Sequence, residues 1–141
     1  MESIKTMITV QALVEAPVEK VWNSWIKPEH IMRWNNASDD WHTPYTENDV
    51  RVGGTFKATM AARDGSVSFD FEGTYTIVKL HQLIEYAMAD GRTVKILFDS
   101  IGKHTRVIES FEAENENPIE LQRGGWQAIL DNFKRYTEGL K

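Results

Sequence analysis

Glu109 is the ionisable residue whose position in the sequence points most directly to chemistry. It lies in a segment with strand periodicity, and if Thr105, Val107 and Phe111 face the interior, Glu109 faces it too. A buried carboxylate is either paired with a cation or has a raised pKa, and both situations occur at functional sites. Glu109 is therefore a candidate general acid or base. A bulge that turns it outward and a pairing with a nearby arginine are the structural alternatives.

Arg51 is a second candidate, because it precedes the Gly53–Gly54 pair in a region that could form the mouth of a cavity. An arginine at such a mouth could hold a carboxylate or another acidic ligand group with two parallel hydrogen bonds. The alternative is a surface arginine on an edge strand, and the sequence leaves both interpretations open.

Other catalytic and cofactor motifs are absent from the sequence. It contains no phosphate-binding glycine loop, dinucleotide fingerprint, paired-histidine zinc motif or nucleophile elbow. The 4 histidines are scattered through predicted loops and turns, which favours surface positions over metal ligation. We therefore expect no metal and no cofactor, and the hypothesis of an enzyme depends on Glu109.

The composition of the chain limits its possible partners. A net charge of -5 over 141 residues argues against binding to nucleic acids or anionic membranes, which requires a basic surface. No apolar segment approaches the ~18 residues of a membrane span, and no signal-peptide pattern is present. The absence of cysteine fits a reducing cytoplasm. We expect one cytoplasmic domain over residues 1–141, monomeric or homodimeric, with residues 1–5 disordered.

Hydrophobic periodicity predicts the elements that must position these residues. Alternation predicts a strand from Lys5 to Glu15, and helical spacing predicts two short helices after it, the second opening at Pro28. Residues 35–52 are irregular and are interpreted as a loop with one edge strand. Five further strands follow, and Asp64-Gly65 and Asp90-Gly91 are the hairpin signals between them.

The segment from Asn117 to Lys141 is predicted to form one long helix. Asn117 is the expected N-cap, Pro118 the first helical residue, and Glu120 can reach back to the cap. The Gly124-Gly125 pair means that the helix proper begins at Gly125 or that a neighbour packs too closely there for a side chain. The apolar face of this helix consists of Trp126, Ile129, Leu130, Phe133, Tyr136 and Leu140.

These elements predict an α+β fold. Strands joined by tight hairpins form an antiparallel sheet, and a sheet with one apolar face must be covered. The C-terminal helix is the only large cover that the sequence offers. We therefore expect a helix-grip arrangement, in which a curved antiparallel sheet of six or seven strands wraps around the C-terminal helix. The two short helices after the first strand would close one end.

Several segments, spread in order over residues 6–139, carry a resemblance to a known family. They are Ala16–Trp22, Pro28–His30 with Trp34, Asp49–Phe56, Phe71–Gly73 and Gly125–Lys134. In these segments the chain resembles the START/Bet v-type superfamily, also called SRPBCC, and within it the domain shared with the activator of heat-shock protein 90 ATPase. The resemblance implies a helix-grip fold around an apolar cavity. The superfamily contains lipid carriers, plant-hormone binders, polyketide cyclases and co-chaperone domains, so the resemblance leaves the function open.

Our first expectation is a non-catalytic protein that binds a small apolar or amphipathic molecule between the sheet and the C-terminal helix. The ligand would enter near the Trp34–Tyr45 loop and the Arg51–Gly54 segment. The many bulky aromatic residues predict a small or constricted cavity. The residues expected to contact the ligand are Trp34, Trp41, Arg51, Phe56, Phe69, Phe71, Tyr75, Tyr86, Phe98, Phe111, Trp126, Ile129, Leu130 and Phe133.

Two other function classes remain open at this stage. One is a cyclase- or dehydratase-like enzyme that uses Glu109 as a general acid or base. The other is a protein-interaction module, which the chaperone resemblance implies together with a link to the stress response. The eukaryotic co-chaperone resembles a two-domain protein whose N-terminal domain has no counterpart here, so a chaperone-activating role is not implied.

Overall fold

The computed structural model describes residues 6–140, which form a curved seven-stranded antiparallel sheet, two short helices and one long helix. The expected disorder of residues 1–5 and the expected helix end at Lys141 lie outside the described residues. The elements in chain order are β1 (Met7–Val14), α1 (Val18–Ile26), α2 (Pro28–Trp34), β2 (Trp41–Asn48), β3 (Thr55–Ala62), β4 (Ser68–Lys79), β5 (Leu83–Met88), β6 (Thr93–Ile101), β7 (His104–Glu112) and α3 (Ile119–Glu138).

The strands follow the order β1-β7-β6-β5-β4-β3-β2 across the sheet. All neighbours except β1 and β7 are consecutive hairpins, while α1 and α2 carry the chain from the β1 edge to the β2 edge. β2 is the edge strand predicted within residues 35–52. It contains Pro44, and its pairing with β3 shifts between His42 and Tyr45, which an edge strand tolerates.

The concave face of the sheet carries the core. In β1, Ile8, Val10, Ala12 and Val14 are buried and the residues between them are exposed, as their alternation predicts. α3 packs against β1 and both short helices, and α2 also packs against β2. The helices thus cover the concave face along β1 and, through α2, along β2.

Aromatic rings hold the three helices together. The ring of Phe133 on α3 lies 4.9 Å from those of both Trp25 and Trp34, measured between centroids. Trp22 contacts Phe98 of β6 at 5.1 Å. The two short helices are therefore fixed against α3 by edge-to-face contacts, the geometry that aromatic pairs prefer.

Strand β4 differs from its predicted pattern near its end. Strict alternation places Ile77 on the same face as Tyr75, but the pairing with β5 shifts between these residues. Val78 then lies opposite Ile84 and packs against the core, whereas Ile77 lies opposite Glu85. This β-bulge, which alternation alone does not reveal, moves Ile77 away from the concave face.

The start of α3 also corrects the prediction. Pro118 occupies the N-cap position, and the helix begins at Ile119 without a side-chain cap. The backbone N–H of Asn117 donates to Glu114 Oε1 at 2.7 Å, so Glu120 does not reach back to it as predicted. Glu120 pairs instead with Arg123 at 2.8 Å, within the first turns of the helix.

Both interpretations of the Gly124-Gly125 pair are wrong. The helix runs through both glycines, and a Cβ atom added to either would meet no other atom within 4 Å. Gly124 is exposed and Gly125 is half-buried. Packing therefore does not require these glycines, although each lowers helix stability by roughly 1 kcal/mol relative to alanine.

We predict opposite effects for two buried threonines when each is replaced by valine. Within residues 6–140, Thr137 Oγ1 has no hydrogen-bond partner, whereas Thr105 Oγ1 donates to the carbonyl oxygen of Ala16 at 2.9 Å. Thr137→Val should leave the free energy of unfolding unchanged or raise it by about 1 kcal/mol, because it removes an unsatisfied hydroxyl group. Thr105→Val should lower it by about 1–2 kcal/mol, because a buried carbonyl loses its donor.

Urea unfolding of the two variants and the wild type would measure the difference. Equal destabilisation by both substitutions would contradict the prediction, since the two hydroxyl groups would then be equivalent.

Candidate functional site

A cavity of about 540 Å³ lies between the sheet and the N-terminal half of α3. This volume falls in the range of about 300–1,000 Å³ that is typical of small-molecule sites. The expectation of a small or constricted cavity is therefore corrected. The aromatic residues do not fill the space, because they pack against one another along its wall: Trp25 and Trp34 against Phe133, and Phe56 and Phe71 against Tyr86.

The cavity exists because α3 leans towards one edge of the sheet. The helix packs against β1, while β3 and β4, further along the sheet, direct aromatic side chains towards the first half of the helix. Gly125 faces this space without a side chain, and an added Cβ atom there would meet nothing within 4 Å. The gap between helix and sheet is consequently left open.

Phe56 forms the centre of the aromatic wall on the sheet side. Its ring lies 4.6 Å from that of Tyr86 and 5.4 Å from that of Tyr75. Gly73 lies directly beneath it, since a Cβ atom at Gly73 would come within 2.5 Å of Phe56 Cε1. The glycine in β4 is therefore what allows Phe56 to lie flat over the sheet.

Trp126 forms the wall on the helix side. Its indole ring stacks on Phe111 with ring centroids 3.9 Å apart and planes 12° apart. Phe71 meets the same indole edge-on at 6.1 Å. Because Phe111 covers one face of Trp126, the orientation of the indole at the cavity is fixed.

Glu109 is a buried acidic group on β7, the strand next to the edge strand β1. It lies on β7 opposite Val10 of β1 and Ile96 of β6, is only 6% exposed, and lines the cavity. Within residues 6–140 its carboxyl group has no hydrogen bond or ion pair, and burial raises its pKa to about 8. The inward orientation follows the strand periodicity, and neither the bulge nor the arginine pairing is observed. At neutral pH the carboxyl group is predominantly protonated.

Two tyrosines line the cavity near this carboxyl group. Tyr86 is 8% exposed, and burial raises its pKa, with a further contribution from the charge of Glu109. In the described part of the chain its hydroxyl group has no hydrogen bond. Tyr75 differs, because its hydroxyl donates to Asn48 Oδ1 at 2.5 Å, while Asn48 Nδ2 donates to the carbonyl oxygen of Ile26. Tyr86 is thus the tyrosine whose hydroxyl remains available.

Two large apolar residues of the lining are exposed and mark the mouth of the cavity. Phe69 on β4 is 50% exposed and Leu121 on α3 is 62% exposed. Asn35 and Ala37, from the predicted Trp34–Tyr45 entrance, also line the space, whereas the Arg51–Gly54 segment does not contribute to the lining.

The structure places part of the predicted ligand-contacting set on the cavity wall. Phe98, Phe111, Leu130 and Phe133 lie outside this lining, and their expected position is corrected. Each is no more than 5% exposed and packs within the core, because the side of α3 that carries Leu130 and Phe133 contacts the short helices and β1. The predicted residues that line the cavity are Trp34, Phe56, Phe69, Phe71, Tyr75, Tyr86, Trp126 and Ile129.

Trp41 and Arg51 are likewise placed outside the lining. The ring of Trp41 lies 5.9 Å from that of Phe69, so it contacts the mouth only through this neighbour. The guanidinium group of Arg51 pairs with Asp49 at 2.8 Å, and its side chain is 72% exposed. The tight turn at Gly54, whose N–H donates to the carbonyl oxygen of Arg51, holds this segment at the surface. The structure therefore agrees with the interpretation of Arg51 as a surface residue.

Sequence reasoning missed several residues of the cavity. Trp25 is one of the many aromatic residues but was not among those expected to contact the ligand, and Arg92 and Gln122 carried no signal at all. The sequence signal that could have indicated the cavity is the Gly124-Gly125 pair. A glycine within a helix leaves space for a bound molecule as readily as for a neighbouring chain segment.

Neither a group of metal-ligating side chains nor a membrane-spanning helix is found among the described residues. Across residues 6–140, no three acidic or histidine side chains are grouped closely enough to hold a metal ion. None of the helices in that range combines the length and apolar character needed to cross a membrane.

Comparisons with known proteins agree with the observed fold. The family model described as Activator of Hsp90 ATPase homolog 1-like protein matches residues 15–138. A solution structure of an AHSA1-like protein from Aeromonas hydrophila is 47% identical, covers 94% of this chain and 92% of its own, and superposes with a TM-score of 0.88. No curated protein matches the chain.

Two other solved structures are similar over most of the chain. A protein from Cytophaga hutchinsonii is 56% identical, with 93% of this chain and 91% of that chain covered and a TM-score of 0.82. A protein from Chromobacterium violaceum is 21% identical, with coverage of 96% and 99% and a TM-score of 0.85, and shows the fold alone.

We predict that Glu109 makes the stability of the protein fall as pH rises. Its pKa is about 8 in the folded state against 4.5 as the ordinary value, so the folded state binds more protons between these pH values. Over that interval the free energy of unfolding should fall by up to about 1.4 kcal/mol per pH unit, roughly 5 kcal/mol in total.

The matched control for this prediction is Glu109→Gln, which cannot ionise. Urea unfolding of both proteins from pH 5 to pH 9 should show the variant gaining stability relative to the wild type as pH rises. A constant difference between the two curves would contradict a raised pKa.

Proposed function

Since the chain belongs to the Activator of Hsp90 ATPase homolog 1-like family, we propose that it binds a small apolar or amphipathic molecule in the cavity between the sheet and α3. The ligand would be bound without chemical change. The apolar part would contact Phe56, Phe71 and Trp126, and a single polar group would face Glu109.

The size and lining of the cavity support this proposal most directly. An apolar cavity of about 540 Å³ left empty would cost on the order of 13 kcal/mol at ~24 cal/mol per Å³. That cost is comparable to the whole stability of an ordinary domain, about 5–15 kcal/mol. Because the mouth opens to solvent, water can enter this space, and largely apolar walls favour its replacement by an apolar molecule.

The shape of the site supports an amphipathic ligand. Phe69 and Leu121 mark a mouth that opens to solvent, and the polar side chains of Arg92 and Gln122 also belong to the lining. A ligand with a second polar group could leave that group near the mouth while its apolar part remains among the aromatic rings.

We further propose a cytoplasmic location and a monomeric or homodimeric state. The absence of cysteine supports the first, because a cysteine-free chain needs no oxidising compartment.

A second function is acid–base catalysis on a bound ligand, as in a cyclase or dehydratase. The observation in its favour is the pKa of Glu109, about 8, because a general acid or base works best near the ambient pH. Proton NMR in D2O would test it with the ketone 2-tetralone. Faster exchange of its α-protons with wild-type protein than with Glu109→Gln would favour catalysis, and equal rates would exclude this role for Glu109 on that ketone.

The protein-interaction hypothesis gains no comparable support. Exposed large apolar residues of the described chain lie on different elements. Examples are Met32 on α2, Val52 in the turn between β2 and β3, and Leu80 after β4.

We predict that a side chain at position 125 blocks ligand binding, whereas the same side chain at position 124 does not. Gly125 faces the cavity and Gly124 is exposed, and an added Cβ atom is accommodated at both positions. Gly125→Leu should weaken binding of the neutral fluorescent probe N-phenyl-1-naphthylamine by roughly tenfold or more, about 1.4 kcal/mol. Gly124→Leu is the matched control and should bind as the wild type does.

Titration of the probe into each protein, followed by its emission, would measure these affinities. Absence of binding to the wild type, or equal binding to Gly125→Leu, would contradict the proposed cavity site.

A further inference from the structure

We propose that the cavity selects molecules that carry a carbonyl or phenolic oxygen on a planar apolar frame, and that Glu109 and Tyr86 both donate hydrogen bonds to this oxygen. This inference rests on the proposed function, and it adds the chemical class of the ligand and the atom that is recognised.

The first support is the position of the two groups. Glu109 lies on β7 opposite Ile96 of β6, and Tyr86 lies on β5 opposite Val94 of β6, so the two residues lie on either side of β6, offset by two residues along it, on the concave face. Both side chains are more than nine-tenths buried and both line the cavity. In the described part of the chain, neither the carboxyl group nor the hydroxyl group has a hydrogen-bond partner. They are close enough for the charge of Glu109 to act on Tyr86.

The second support is the direction of the hydrogen bonds that these groups can make. Burial raises the pKa of Glu109 to about 8, so at neutral pH its carboxyl group carries a proton to donate. The Tyr86 hydroxyl also donates. Leaving a buried donor unpaired costs about 1–3 kcal/mol, and one ligand oxygen with two lone pairs could accept from both groups. A buried tyrosine and a protonated carboxylic acid that share one oxygen form a known kind of oxyanion site.

A cationic ligand fits these observations less well. An ammonium group would require Glu109 to ionise, and desolvation of the resulting ion pair offsets most of its attraction. The other charged residues of the lining are Arg92, whose guanidinium group pairs with Asp90 at 2.7 Å, and Glu114, and together they favour neither sign of ligand charge. An uncharged oxygen acceptor needs neither the ionisation nor the desolvation of a charge.

The third support is the flatness of the walls. Phe111 holds Trp126 nearly parallel to itself, at 12°, and Phe71 approaches the indole at 74°. Aromatic rings prefer stacked or edge-to-face neighbours, and a planar frame can meet fixed indole and phenyl rings in both ways.

The test uses three probes with the same naphthalene frame. Naphthalene has no polar group, 2-acetylnaphthalene has a carbonyl oxygen, and 2-naphthylmethylamine has an ammonium group. Titrations followed by ¹H–¹⁵N NMR at pH 6.5 would give the three affinities for the wild type, Tyr86→Phe, Glu109→Leu and Glu109→Gln. The spectra also report whether each variant is folded.

We expect the wild type to bind 2-acetylnaphthalene roughly tenfold more tightly than naphthalene, because the oxygen satisfies two buried donors. This ratio should fall towards one in Tyr86→Phe and in Glu109→Leu, and Glu109→Gln should restore part of it, since its amide still donates. The wild-type ratio should also fall above pH 8, where Glu109 loses its proton.

The outcomes separate this inference from the proposed function. If naphthalene and 2-acetylnaphthalene bind equally well, or if the amine binds most tightly, the oxygen selectivity is overturned while the cavity site stands. If none of the probes binds, the proposed function itself is contradicted.

Discussion

An unpaired carboxyl group remains buried in this fold only while it keeps its proton, and this constraint connects the sheet with the cavity. Glu109 cannot turn outward, because β7 is paired on both sides, with β1 and with β6, and its register fixes the side chain on the concave face. Ionisation would place a lone charge among apolar groups, and burial therefore raises the pKa to about 8. A protonated acid at the wall of a cavity is a hydrogen-bond donor that lacks an acceptor.

The rest of the molecule supports this arrangement through two groups of aromatic contacts. Trp25, Trp34 and Phe133 pack together and fix the short helices against α3, which keeps the helix over the β1 side of the sheet. Phe56 and Trp126 then line the space that the helix leaves open, each held from behind, by Gly73 and by Phe111 respectively. Packing at one end of the sheet thus supplies the stability that the open part does not.

Much of the fold could be predicted from the sequence, because period-2 and helical patterns are local. The orientation of Glu109 followed from its position relative to Val107 and Phe111. Six strands followed from alternation and turn residues and the three helices from helical spacing, whereas β2 was expected only as one edge strand within an irregular region. The bulge that displaces Ile77 depends on pairing between strands and leaves no local signal. The size of the cavity was not predictable either, since it depends on where α3 lies across the sheet. For the same reason, Leu130 and Phe133 could not be distinguished in advance from the lining residues Trp126 and Ile129.

The most direct test of this account is the titration of the Glu109 side-chain carboxyl carbon by ¹³C NMR in the ligand-free protein, with Glu109→Gln used to assign the signal. The account predicts a midpoint near pH 8, because the carboxyl group is buried and has no partner among the described residues. A midpoint near the ordinary value of 4.5 would contradict it, since the carboxyl group would then be solvated or paired and could not serve as a buried donor in the cavity.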